Sequence, residues 1–227
     1  MSRHRIRLTI RKKRSLNNNI FMNILLVGIQ GSGKGTQARK IATDYGYGFF
    51  EMGQKLRNFS ELDHPRSGEV KSHMEQGKLV PDDLITAMLE HYRDTHGSDK
   101  ILFDGIPRSS AQKALFDAVF PAYFVVFLDL KREQAIERLA GRKIDPSTGE
   151  SFQADFQGDF SPFTGQKLIK RPDDTPEAVT KRIEIFYDNT LPLLALWAQE
   201  GKRVYTIDAS RDVETVYEQI KVVLSAY

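Results

Sequence analysis

There is no cysteine in this chain of 227 residues. That excludes a disulfide framework, a thiolate zinc site and a thiol nucleophile, and it fits a reducing, cytoplasmic setting. No run approaches the ~18 apolar residues of a membrane span, so no membrane partner is expected. The five histidines, His4, His64, His73, His91 and His96, stand at no metal-ligating spacing and read as surface residues. A nucleophile elbow is also missing.

Residues 1–21 lack acid altogether. They hold Arg3, Arg5, Arg7, Arg11, Lys12, Lys13 and Arg14, and taking these seven charges from the net +3 leaves the rest at −4. The stretch has no clear period and ends in asparagines. It reads as a disordered basic extension, or as sequence upstream of a true start at Met22. A nucleic-acid or anionic-surface contact and a transit peptide are the alternatives.

What is present is an ordinary soluble balance, 40% hydrophobic and 28% charged, with length for a large core in one or two domains. "NILLVG" (23–28) reads as a buried parallel strand ending in glycine. "KGTQARKIATDYG" follows with Ala38, Ile41 and Ala42 at helical spacing and a stop at Gly46. "KILFDG" (100–105), "YFVVFLDL" (123–130) and "KRVYTIDA" (202–209) are further strands, with helical patterns between. Such alternation predicts a parallel sheet covered on both faces. Pro176 after Thr175 predicts a helix start. That helix carries Val179, Ile183, Phe186 and Tyr187 on one face, and Pro192 should kink or break it. Two stretches interrupt the alternation: 51–80, polar and helical, and 143–170, where the tight turns "DPSTG" and "SPFTG" imply a small insertion with hairpin structure.

"GIQGSGKGTQ" (28–37) sits between the first strand and its helix. It nearly matches the phosphate loop G-x-x-x-x-G-K-[ST], but Gly35 stands where Ser or Thr should reach Mg²⁺, and Thr36 comes one place late. A strand entering a glycine-rich turn and a helix aims backbone N–H groups and the helix dipole at an anion. Gly28, Gly31, Gly33 and Gly35 keep side chains out of a phosphate's way, and Lys34 adds a point charge.

Asp104 ends a strand, where sheets of this kind open their ligand crevice, and is a candidate for the water shell of Mg²⁺. Taken alone, an aspartate at a strand end more often caps a helix or turn; beside a phosphate loop the order reverses. Arg108 follows in a proline-stiffened turn. Arg138 and Arg142, four apart, are read as sharing one helix face, which is either solvated or clasps an anion. Arg171 and Arg182 invite the same reading, since a guanidinium fork suits phosphate. A phosphate loop with several arginines and no nucleophile fits phosphoryl transfer, which needs positioning and charge neutralisation.

Taken in order, "GxxGSGKGTQ", "GQKLR", "GKLVPDDL", "FDGIPRSSAQ", "ERLAGRK" and "TGQKLIKRPDD" resemble the adenylate kinase family of nucleoside monophosphate kinases, from Met22 to about Tyr227. That family places Gly and then Thr after the loop lysine and holds Mg²⁺ largely through water. The resemblance implies a P-loop three-layer α/β/α fold with a five-stranded parallel sheet, divided as a core (22–50, 81–141, 175–227), a helical monophosphate-binding insertion (51–80) and a small lid (142–174).

By position, the resemblance implies that Gly31, Ser32, Gly33, Lys34, Gly35 and Thr36 wrap the ATP phosphates, with Arg138, Arg142, Ser151, Phe152 and Arg211 at the same nucleotide. It puts the monophosphate with Met52, Arg57, Gln112, the backbone of Lys78, Leu79 and Val80, and the turn Gly105, Ile106, Pro107 and Arg108. Lys34, Arg108, Arg142, Arg171 and Arg182 would surround the phosphoryl group in flight, and Asp104, Asp173 and Asp174 would support Mg²⁺ water or lid closure.

Two departures from the family pattern stand out. Where zinc-bearing members have two Cys-x-x-Cys pairs, this chain has Asp145, Thr148, Ser161 and Thr164, so a hydrogen-bonded cluster without zinc is expected. Met52 replaces the threonine hydroxyl that normally faces adenine, Gln54 follows where aspartate is usual, Ile106 replaces a phenylalanine, and Gln30 replaces a loop proline. The activity implied is ATP + AMP ⇌ 2 ADP by a monomer with Mg²⁺, AMP being the preferred acceptor. The alternatives are another or several nucleoside monophosphates, or an ATP-dependent binding protein that recruits a partner through the basic tail.

Overall fold

The computed structural model describes residues 22–152, 156–171 and 174–227. The basic stretch 1–21, with His4, and Asp173 lie outside them. Five parallel strands form one sheet: β1 (Asn23–Gly28), β2 (Gly48–Glu51), β3 (Ile101–Asp104), β4 (Tyr123–Asp129) and β8 (Val204–Asp208), in the order β2-β3-β1-β4-β8. All six residues of β1 are buried, as its unbroken apolar run requires of a central parallel strand. In register, Leu26 pairs with Asp104 and Glu51 with Asp104, so two carboxylates meet at the carboxyl ends of adjacent strands.

Helices complete a three-layer α/β/α architecture. Of them, α1 (Lys34–Tyr45) packs against α9 (Val213–Leu224), and α4 (Asp82–His96) against α5 (Ser110–Val119). Gly46 closes α1 with φ 66°, the left-handed cap expected of a glycine there. Phe103, Phe116, Phe120 and Tyr123 form an aromatic core at ring separations of 4.7–5.7 Å.

The interruptions hold what the sequence predicts. The stretch 51–80 carries α2 (Met52–Ser60) and α3 (Ser67–Glu75). After α6 (Arg132–Ala140) comes a small antiparallel sheet of β5 (Lys143–Ile144), β6 (Ser151–Phe152) and β7 (Ile169–Lys170), in the order β6-β5-β7. Thr175 caps α7 (Pro176–Ile185), its side chain accepting from the Ala178 N–H. Beyond it the helix widens into a π-helical turn, Phe186–Thr190, and α8 (Leu193–Gln199) restarts after Pro192.

Three expectations need correction. The edge strand β2 is missing from the sequence reading, because "GFFE" is only four residues long and has neither alternation nor a long apolar run. Arg138 and Arg142 do not share a helix face: α6 ends at Ala140, Gly141 caps it, and Arg142 lies beyond. His73 is half-buried rather than exposed.

Candidate active site

The loop after β1 is shaped for an anion. Gly31 and Gly33 have φ of +85° and +88°, open to glycine alone at little strain. A Cβ on Gly28 would fall 2.6 Å from Ser32 Oγ and 2.7 Å from the Leu128 carbonyl oxygen, so the first turn tolerates no side chain. α1 begins at Lys34 with no side-chain cap, which leaves its first N–H groups turned to the crevice. Lys34 Nζ reaches back to donate to the Gly28 and Ile29 carbonyls at 2.8 and 3.1 Å. Burial lowers its pKa, Asp104 works against that, and Arg108 and Arg142 reinforce it.

Two adjoining cavities open from this loop. The first is lined by the loop residues Gly31, Gly33, Lys34, Gly35 and Thr36, and by Asp104, Gly105, Ile106 and Pro107 of the β3 turn. Arg138, Ser151 and Phe152 close its other side. The second is lined by Met52, Leu56, Met74, Val80 and Ile85, with Lys78, Leu79 and Gln112. Arg108, Arg142, Arg171 and Arg182 line both.

The sequence-predicted residues therefore converge, with three exceptions. Arg211 is exposed and ion-paired to Asp208 at 3.2 Å, away from either cavity. Ser32 is buried beneath the loop and lines neither. Arg57 also stands behind the lining, where its Nη2 donates to Gln54 Oε1 at 2.7 Å and to Glu51 Oε1 at 3.2 Å.

Several lining residues escaped the sequence reading. Glu51 and Arg39, 3.6 Å apart, line the first cavity, and Glu51 was out of sight because β2 was. Thr190 reaches the site because the π-helical turn rotates it inward, and its Oγ1 donates to the Arg108 carbonyl at 3.0 Å.

The arginines are held by specific partners. Arg108 Nε donates to the Gly105 carbonyl at 3.0 Å, and its N–H to Gln112 Oε1 at 2.9 Å. Asp174 takes Arg182 Nη1 on one oxygen and Arg142 Nε on the other, each at 2.9 Å. Burial lowers the Arg142 pKa, with Arg171 adding to the effect and Asp174 opposing it. Asp104 moves up: burial raises it, Lys34 pulls it down, and neighbouring Glu51 raises it again. Seven cationic side chains against two carboxylates line the first cavity, which makes it a focus of positive potential fit for polyphosphate. Asp104 and Glu51 are the hard oxygen donors there, suited to Mg²⁺ through water.

Residues of both insertions border the cleft. Gly149, in the turn between β5 and β6, approaches α2 so closely that a Cβ would sit 2.4 Å from Gln54 Oε1. Gly77, beyond α3, meets α7, where Arg182 Nη2 donates to the Met74 carbonyl at 3.2 Å. The positions of the missing cysteines form a hydrogen-bonded cluster. Asp145 accepts from Ser147 Oγ at 2.6 Å and from Thr164 Oγ1, and Ser161 Oγ accepts from the Thr164 N–H at 3.4 Å.

Comparison with known proteins agrees with this geometry. The adenylate kinase family model matches residues 26–202. An adenylate kinase of Shouchella clausii is 32% identical over 215 residues, covering 90% of this chain and 98% of that protein. One of Natronomonas pharaonis is 31% identical over 198 residues, covering 87% and 94%. That of Bacillus subtilis is 30% identical over 210 residues, covering 88% and 96%. A phosphate loop, two adjoining cavities and a match along most of the chain lead to one conclusion: this protein belongs to the adenylate kinase family and is a nucleoside monophosphate kinase that uses ATP and Mg²⁺.

Proposed function

We propose that the acceptor is AMP, the reaction ATP + AMP ⇌ 2 ADP, with ATP in the first cavity and AMP in the second. The observation that carries this reading is the shared wall: Arg108, Arg142, Arg171 and Arg182 border both cavities, where the phosphates of two nucleotides would meet. The loop N–H groups and Lys34 hold the outer ATP phosphates. An oxygen of the acceptor phosphate forms the new bond to the γ-phosphorus, and the bridging oxygen leaves with its electron pair. No side chain has to move a proton. The arginines neutralise the charge spread over the transferring group and fix its line of flight. Mg²⁺ neutralises phosphate charge when bound, and Asp104 offers an oxygen to its water shell.

Residues 51–80 act as the monophosphate clamp and 142–174 as the ATP lid. Their contact through Gln54 and Gly149 seals the cleft from water, which would otherwise take the phosphoryl group. Ser151 and Phe152 contribute to the ATP side. Gln112, 2% exposed and lining the second cavity, is the neutral polar side chain best placed to meet the acceptor base.

A second reading, relaxed base choice, is favoured by Met52. It gives the acceptor cavity a flexible thioether beside Leu56 and Met74, and no hydroxyl at that position. One coupled assay separates the two: ATP with AMP, GMP, CMP, UMP and the deoxy monophosphates, against a Lys34→Ala control. AMP should give the highest kcat/KM. Equal values for CMP or UMP would favour relaxed choice, and no ADP above the control with any acceptor sinks both.

A further inference from the structure

Gln30 follows Ile29 in the phosphate loop and belongs to none of the roles above. It lines both cavities. The other polar side chains common to both linings are the arginines 108, 142, 171 and 182. Its Oε1 is buried without a hydrogen-bond partner, while the residue as a whole is half-buried. A buried acceptor left unpaired is unfavourable, and such a side chain calls for a partner that engages its amide.

The surroundings say what that partner is. A carboxamide offers an acceptor at one end and donors at the other, and half a turn about its last bond exchanges them. Four guanidiniums on the same wall repel a cation and attract an anion. The end that meets a ligand here is therefore the N–H end, and the ligand is a phosphate oxygen.

We propose that Gln30 is a catalytic residue of the transfer step, its amide N–H donating to a non-bridging oxygen of the phosphoryl group at the junction of the cavities. The γ-phosphorus loses its bond to the β–γ bridging oxygen, which keeps the electron pair, and gains one to an acceptor phosphate oxygen. Gln30 gives and takes no proton. The family resemblance puts a proline at this position, whose side chain has no donor. The proposal rests on the phosphotransfer reading above.

The test uses the full chain with Gln30→Met, which keeps the length and drops the amide, and Gln30→Ala. Steady-state kinetics with ATP and the best acceptor are paired with calorimetric binding of two adenosines joined by five phosphates, a probe that spans both cavities, and of ATP alone. Both variants should lower kcat about tenfold with each KM within twofold, the loss of one charge-assisted hydrogen bond. The bridged dinucleotide should bind about tenfold more weakly and ATP within twofold. Unfolding midpoints should stay level or rise, since an unpaired buried group is removed. Wild-type kcat and wild-type affinity for the bridged dinucleotide in Gln30→Met would overturn the proposal, as would higher KM values with unchanged kcat. If the unmodified chain turns over no acceptor and does not bind the bridged dinucleotide, the phosphotransfer reading itself falls; an active chain indifferent to Gln30→Met sinks only this inference.

Discussion

Asp174 holds Arg142 and Arg182 together, one on each carboxylate oxygen at 2.9 Å. Its side chain is 2% exposed and those of the arginines 15% and 9%, so the cluster is shielded from solvent. The same two arginines border both cavities. Asp174 thus joins Arg142, just beyond α6, to Arg182 on α7 and places a negative charge between the two guanidiniums.

Replacing Asp174 by Asn should therefore destabilise the nucleotide-free protein by about 3 kcal/mol, the low end for breaking a buried pair. In a chain of this size that is a drop of roughly 6–12 °C in unfolding midpoint. A bridged dinucleotide should restore much of it, because its phosphates bring negative charge to the same arginines. Scanning fluorimetry with and without the dinucleotide checks this. An unchanged free midpoint, or a ligand shift no larger than in the unmodified protein, defeats the idea.

Asp104 sets function against stability. Its folded pKa is raised, by burial and by Glu51, above the ordinary 3.8. For an acid this sign means that the fold loses stability as pH climbs from about 3.8 through the folded value. Asp104→Asn should accordingly raise the unfolding midpoint at pH 7 and flatten its decline above pH 4, while weakening the Mg²⁺ dependence of turnover. A lower midpoint at pH 7 contradicts the sign.

Gly77 is where backbone meets backbone. Its φ is +66°, and a Cβ there would fall 2.6 Å from the Ala178 carbonyl oxygen on α7, which cannot swing aside as a side chain would. Gly77→Ala adds left-handed strain to overpacking, about 2–4 kcal/mol together. Thermal unfolding should show the midpoint falling by roughly 4–16 °C. A shift under 2 °C means that the contact yields.

The sequence carried far where periodicity and punctuation were strong. Four of the five sheet strands announce themselves as apolar runs, and Gly46, Thr175 and Pro176 mark helix ends where the structure has them. β2 did not, because a four-residue edge strand carries too little pattern, and Glu51 was lost with it. Spacing misled at Arg138 and Arg142: i,i+4 implies one face only while the helix lasts, and Gly141 ends it. Arg211 matched by position, yet its side chain turns to Asp208. Nothing local to Thr190 signals its inward turn, which depends on the π-helical turn before Pro192.

Asp145 gives the small three-stranded sheet and its turns a pH limit. Burial works to raise its pKa, but hydrogen bonds from Ser147, Thr164 and Ser161 outweigh that and hold it well below the ordinary 3.8. For a carboxylate so depressed, stabilisation is complete above about pH 4 and fades as pH falls from there toward the folded value. Thr164 Oγ1 reaches Asp145 from the second tight turn, so protonation loosens the joint between the two turns. Hydrogen exchange, corrected for intrinsic rates, should show residues 143–170 losing protection between pH 4 and 2, ahead of β1 and β4. Asp145→Asn should lower their protection at pH 7 and remove most of that dependence. A variant with the same pH slope as the unmodified chain would show that another group governs these residues.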